Sequence, residues 1–199
     1  ARLLSAVSKN LVPRTMYGDF TCIRRSNDVS QDTGFQPSVT CGRHDDDIFG
    51  THHARDVNNL FNYKINLPIF SSAIKTNTQY MHTVRFSITL DELVDMNTVL
   101  DRLRSDKYIS LTHKKSTNKV FSFGRDHGFY GRIYTQAVVC VPSLYIRHYE
   151  DVTRIAGVSF TPQDGNSLMS SISACLYGLY GKDYQSKLNV LGEMLVNEV

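Results

Sequence analysis

The sequence predicts an α+β domain in which a mostly antiparallel or mixed sheet carries helices on one face. Three observations lead there. Segments of period-two hydrophobicity alternate with helix-period segments at irregular spacing. The chain lacks the even βαβ beat of a doubly wound sheet, and it lacks the short-strand rhythm of a sandwich. Its 199 residues are 41% hydrophobic and 11% aromatic, enough for a substantial core, which excludes intrinsic disorder and collagen-like repeats. Residues 1–180 read as one α+β unit and 181–199 as an appended C-terminal helix.

The elements follow in order. Leu3, Leu4 and Val7 give residues 1–10 a helical spacing, which Pro13 ends because it has no amide hydrogen to continue the ladder. Residues 17–25 alternate and read as a strand, whereas 26–47, with Asp45-Asp46-Asp47, read as a long polar loop. Val57, Leu60 and Phe61 place a short helix over 54–62. Strands are expected at 67–75 and 80–90, the second with Val84, Phe86, Ile88 and Leu90 on one face. Thr89-Leu90-Asp91-Glu92 fits the S/T-x-x-E capping pattern, so Thr89 is the expected N-cap of a helix whose stripe is Leu93, Met96, Val99, Leu100 and Leu103. A strand at 108–112, a helix at 116–127 closed by Gly128, and strands at 132–141, 144–148 and 154–161 come next. Helices are expected at 167–179, with Leu168, Ile172, Cys175 and Leu176 inward, and at 184–196.

Charge and cysteine content narrow the function classes. A net charge of +3, from 22 Lys+Arg against 19 Asp+Glu, gives no electrostatic argument for nucleic acid. The apolar runs are too short to span a bilayer, and no signal-peptide pattern opens the chain. Cys22, Cys41, Cys140 and Cys175 lie far apart and read as reduced, buried thiols, which suits a cytoplasm-like compartment or the inside of an assembled particle.

Three clusters carry chemistry. Arg24-Arg25 ends a strand, where guanidiniums suit a phosphate; solvated charge on a sheet edge is the competing reading. Thr51-His52-His53 opens a helix, where backbone N–H groups attract anions. Zinc is the rival there, given His44 and the three aspartates, but no closed ligand spacing exists and no metal is expected. His82 enters a hydrophobic strand, either as a satisfied core histidine or as a general base.

In order and spacing these clusters resemble the catalytic lobe of the archaeal-type (type II) glyceraldehyde-3-phosphate dehydrogenases. That family has an Arg-Arg pair ending a strand, a Ser-His-His segment followed by Asp-Val, and a Met-His pair opening a long strand. Here these are Arg24-Arg25, Thr51-His52-His53 with Asp56-Val57, and Met81-His82. Downstream, Phe123-Gly124-Arg125-Asp126-His127-Gly128 resembles the family's Tyr-Ala-Arg-Asp-Leu-Gly, and Thr161-Pro162-Gln163-Asp164 resembles its His-Gln-Glu-Ser turn.

The resemblance implies that His82 is the base that activates a catalytic thiol. It implies that Arg24, Arg25, Thr51, His52 and His53 hold a phosphorylated aldehyde or inorganic phosphate. The implied chemistry is thiolate attack on the aldehyde, hydride transfer to NAD or NADP, then phosphorolysis. The family's nucleophilic Cys sits just before the helix that Ala1-Arg2-Leu3-Leu4 resembles, so it falls upstream of Ala1, as does the nucleotide lobe. None of the four cysteines here matches it. The chain alone is therefore expected to be inactive, and a homo-oligomer or a companion chain is expected.

Two other readings compete. One is a non-enzymatic assembly subunit that kept the fold after proteolytic processing. The other is an anion- or nucleic-acid-binding module using Arg24, Arg25, Arg43, Arg55 and Lys114-Lys115; it ranks last because the aromatics are not arranged in an RNA-binding pattern.

Overall fold

A computed structural model describes residues 1–9, 11–26, 36–61, 66–78, 80–127 and 135–199. Among the described residues, eight strands form one mixed sheet: β1 (Thr15–Arg24), β2 (Thr40–Cys41), β3 (Ile69–Lys75), β4 (His82–Leu90), β5 (Ile109–Thr112), β6 (Ala137–Cys140), β7 (Tyr145–Tyr149) and β8 (Val152–Thr161). Their order across the sheet is β2-β3-β1-β4-β8-β6-β5, with β7 also on β8. The β1–β3 and β5–β6 pairs are parallel and the rest antiparallel. The helices are α1 (Arg2–Val7), α2 (His52–Phe61), α3 (Met96–Ser105), α4 (Thr117–Asp126), α5 (Gln163–Tyr180) and α6 (Tyr184–Leu188). The α+β class and the mixed sheet agree with the sequence reading.

Helix placement is broader than a single covered face. Leu3, Leu4 and Val7 of α1, Ala54 of α2 and Val99 and Leu103 of α3 share one cluster with Ile69, Phe86, Ile88, Leu90, Val139 and Ile155. Val120 of α4 instead clusters with Val138, Cys140 and Phe160. Val138 and Val139 are successive strand residues and point to opposite sides, so α4 covers the other face at the β6–β8 end.

β6 and β7 share one edge of β8: Val138 pairs with Phe160, while Tyr145 pairs with Ala156. The 3₁₀ turn Val141–Ser143 joins them, and Ser143 Oγ both donates to Cys140 O (2.6 Å) and accepts from Val158 N (2.9 Å), which closes the gap in the ladder. Within the expected strand at 132–141, Ala137–Cys140 is strand, and residues 128–134, including Gly128, lie outside the described residues. In the same way 27–35 of the long loop lie outside them, while Thr40–Cys41 forms a short edge strand.

The expected cap at Thr89 is overturned. Thr89 remains in β4, paired with Tyr17 and Arg154, because a central strand gains ladder bonds on both edges. The cap is Asp95, whose Oδ1 accepts from Thr98 N at 2.8 Å. Leu93 therefore precedes the helix and is exposed, and Val94 is buried in its place.

Arg102 of α3 donates to both Glu92 carboxylate oxygens (2.7 and 2.9 Å) and to Val7 O (2.8 Å), binding α3 to the end of α1. These contacts hold Glu92 below its ordinary value of 4.5, the Arg102 hydrogen bonds being the main cause. A depressed carboxylate stabilises the fold above its unfolded pKa and loses that contribution as pH falls through the folded value. Arg102→Met is expected to cost about 1–2 kcal/mol at neutral pH. The difference should shrink as pH drops below 4.5, read by thermal unfolding at each pH. An equal loss at every pH would show that packing of the Arg102 stem, and not the ion pair, is what matters.

Towards the C-terminus, α5 begins at Gln163, and Met169 is buried where Leu168 and Cys175 were expected to be. The last helix is only the short α6, followed by 3₁₀ turns over Asn189–Met194. The final residues then lie along β5, with Leu111 N donating to Asn197 O and Val199 N to Leu111 O. All four cysteines are free; Cys22 and Cys140 are buried, but Cys41, on the edge strand β2, and Cys175, on the outer side of α5, are exposed.

Candidate functional site

The sequence-chosen residues collect at one end of the sheet. Arg24 ends β1 and is exposed, whereas Arg25 is buried directly after it. His82 opens β4, half-buried, opposite Thr161 at the end of β8. The Arg25 backbone N–H donates to His82 Nδ1 at 3.1 Å, which joins two of the three clusters directly. That bond requires an unprotonated Nδ1, so the neutral ring carries its proton on Nε2.

The third cluster is set by the approach to α2. Gly50 takes a φ of +76°, and a Cβ there would lie 2.5 Å from Ser71 O, so only glycine lets this loop lie against β3. Just before it, Asp46 Oδ1 accepts from Ile48 N (3.0 Å) and Phe49 N (2.8 Å), which shapes the turn. These amides hold the Asp46 carboxyl below its ordinary value, the Phe49 bond being the largest cause.

Ser71 of β3 then organises the start of α2. Its Oγ accepts from Ala54 N (3.0 Å) and lies 2.7 Å from Thr51 Oγ1. Thr51 Oγ1 is also 3.3 Å from His53 Nδ1. Thr51 is 4% exposed, so its hydroxyl works within this buried group. The Ala54 amide, one of those the sequence offered to an anion, is already engaged. His52 is exposed and His53 half-buried, their ring centroids 4.1 Å apart. Burial is the main cause lowering the His53 pKa from 6.5, with the neighbouring His52 and Arg24 charges acting in the same direction. That Arg24 influences His53 ties the end of β1 to the start of α2.

A cavity of about 330 Å³ opens between these parts, lined by His53, Ser71, Cys22, Val84 and Thr161, with Ala1 ahead of α1 at its margin. The strand register explains the grouping: Cys22 pairs with Ala73 on one side and Val84 on the other, so these residues and Thr161 face the side that α1 and α2 cover. Burial raises the pKa of the Cys22 thiol, with the Arg24 charge opposing more weakly. A protonated, buried thiol is a poor nucleophile.

A larger depression of about 500 Å³ lies on the opposite face, between the start of α4 and β8, and includes none of the sequence-chosen residues. Size is therefore a worse guide here than the convergence of polar groups. Two of the other basic residues named from the sequence are engaged elsewhere. Arg55 pairs with Asp46 at 3.4 Å, and Lys114 lies over the Phe123 ring, 5.0 Å from its centroid, on the α4 side. Among the described residues no group of three or more His, Cys, Asp or Glu gathers as metal ligands do, and no helix is long and apolar enough to cross a membrane.

Sequence reasoning missed Ser71, and it named Thr161 only within the turn that resembles His-Gln-Glu-Ser, not as a residue lining the site. Both are small hydroxyl residues in strands, and nothing in the local pattern separates them from ordinary strand residues. The chain matches no protein-family model and no curated protein.

Proposed function

We propose that this chain is the catalytic lobe of a glyceraldehyde-3-phosphate dehydrogenase-like oxidoreductase acting on a phosphorylated aldehyde. The observation that carries the reading is the cavity at which His53, Thr161 beside His82, and the residue preceding α1 meet. The position from which the resemblance would bring a nucleophilic thiol thus opens onto the same space as the polar side chains. Arg24 and His53 supply positive charge and a hydrogen-bond donor for the phosphate. His82, with Nδ1 engaged by Arg25, carries its proton on Nε2 when neutral, the tautomer suited to donating to an aldehyde oxygen. That arrangement favours hydrogen-bond donation over the base role that the resemblance implies.

The described residues do not fit a dinucleotide. Neither parallel pair, β1–β3 or β5–β6, carries a glycine-rich phosphate-binding turn. NAD or NADP would be held by a lobe outside these residues, and its chemistry there is acceptance of a hydride.

A test is glyceraldehyde 3-phosphate oxidation with NAD or NADP by the native product of the gene, together with inorganic phosphate binding by the chain alone. Millimolar or tighter phosphate binding that perturbs the His53 ring resonances is expected. A product that neither turns over the aldehyde nor binds phosphate near His53 ends this reading.

A second reading, an assembly subunit that kept the fold without the activity, draws on exposed apolar residues. Tyr177, Leu179 and Tyr180 of α5 and Val190 beyond α6 are 58%, 75%, 49% and 82% exposed. Sedimentation of the purified chain decides its weight: a small monomer at micromolar concentration counts against it.

A further inference from the structure

We propose that Ser71 and Thr51 form a directed hydroxyl relay that fixes the tautomer of His53, making Ser71 a positioning residue and His53 a neutral donor toward the phosphate of a phosphate ester. The inference deepens the phosphate reading of this cavity and rests on it for the ligand, but not for the relay.

The direction follows from donor counting. Ser71 Oγ already receives the Ala54 N–H at 3.0 Å, and its own hydrogen has Thr51 Oγ1 at 2.7 Å as its nearest acceptor; Phe49 O at 3.5 Å and Thr51 O at 3.4 Å are much farther. With the Ser71 hydrogen directed there, the Thr51 hydrogen is released to point at His53 Nδ1, 3.3 Å away. A ring that accepts at Nδ1 carries its proton on Nε2 when neutral. The ring lines the cavity shared with Cys22 and Thr161, so that proton is offered within the site. The Ala54 amide is the start of the relay, which couples the geometry of α2 to the orientation of the ring.

Burial and the positive neighbours His52 and Arg24 favour the neutral ring; Asp56 acts the other way. A neutral donor paired with the Arg24 charge suits a phosphate monoester, which presents several acceptor oxygens. His52, exposed beside it, is outside this relay.

The variants separate the relay from the cap it shares. Thr51→Val removes the hydroxyl that reaches His53 and leaves the Ser71–Ala54 bond in place, whereas Thr51→Ser keeps a hydroxyl. Long-range proton–nitrogen NMR of the imidazoles reads the tautomer, and titration with inorganic phosphate reads the ligand. Wild type and Thr51→Ser are expected to show His53 as the Nε2–H form, and Thr51→Val a mixture with Nδ1–H and about tenfold weaker phosphate binding. An unchanged His53 tautomer in folded Thr51→Val overturns the relay. A shifted tautomer in a chain that binds no phosphate upholds the relay and removes the phosphate reading instead. Ser71→Ala leaves the Thr51 hydroxyl without its donor, able to accept from the ring as well as donate to it, so a smaller Nδ1–H fraction than in Thr51→Val is expected; a pure Nε2–H ring in that variant would remove Ser71 from the relay.

Discussion

Phe86→Ala is expected to destabilise the domain by about 3–5 kcal/mol, the largest loss from one truncation in this core. Phe86 is fully buried in β4, the strand that pairs with β1 on one edge and β8 on the other. Its ring occupies space that the sheet leaves by omission. Gly157, directly across on β8, has no Cβ, and one built there would lie 2.8 Å from Phe86 Cζ and 2.9 Å from Leu144 Cδ2. Removing the ring opens a cavity bounded by strands that cannot close, since both ladders fix their spacing. The converse change, Gly157→Val, overpacks the same point and should cost about 1–3 kcal/mol. The double variant should lose less than the sum, because each change supplies what the other lacks. Urea unfolding with an unchanged slope measures all three. A loss below about 1 kcal/mol for Phe86→Ala would mean that the neighbours collapse into the space.

The parts of the fold governed by period were legible, and the parts governed by competition were not. Val84, Phe86, Ile88 and Leu90 alternate cleanly, and the strand lies where the alternation puts it. Thr89 fits a capping pattern just as well, yet pairing with β1 and β8 keeps it extended, a contest that no local window contains. The same holds for the C-terminus. Leu188, Leu191 and Leu195 have helical spacing, but Val199 gains burial and a backbone bond to Leu111 of β5, and Asn197 accepts a second, which draws the chain out of the helix after α6. At the site, Arg24-Arg25 and the paired histidines stood out by residue type. Ser71 did not, because its part depends on facing Thr51, 20 residues away in sequence.

Substitution of His82 should have the largest effect on activity. If the chain is the catalytic lobe proposed above, His82→Ala should lower phosphorylated-aldehyde oxidation by about 10²–10⁴-fold. Which role is lost can be decided by His82→Gln. A base working at Nε2 needs that nitrogen unprotonated, so the neutral ring must carry its hydrogen on Nδ1, where the Arg25 N–H already points at 3.1 Å. Two hydrogens facing each other across that distance would break the contact between the end of β1 and the start of β4. A donor needs the opposite tautomer, the one the Arg25 bond selects. Glutamine carries an amide N–H at about the reach of Nε2 but has no basic site near neutral pH, so it can replace a donor and cannot replace a base. His82→Gln should therefore retain at least tenfold more activity than His82→Ala, with KM little changed, the difference corresponding to about 1.4 kcal/mol of transition-state stabilisation. Equal inactivity of the two variants, together with an Nδ1–H ring in the wild-type spectrum, would return His82 to the role of base. The Arg25 amide would then have to find another acceptor during turnover, and the start of β4 would have to move to provide one.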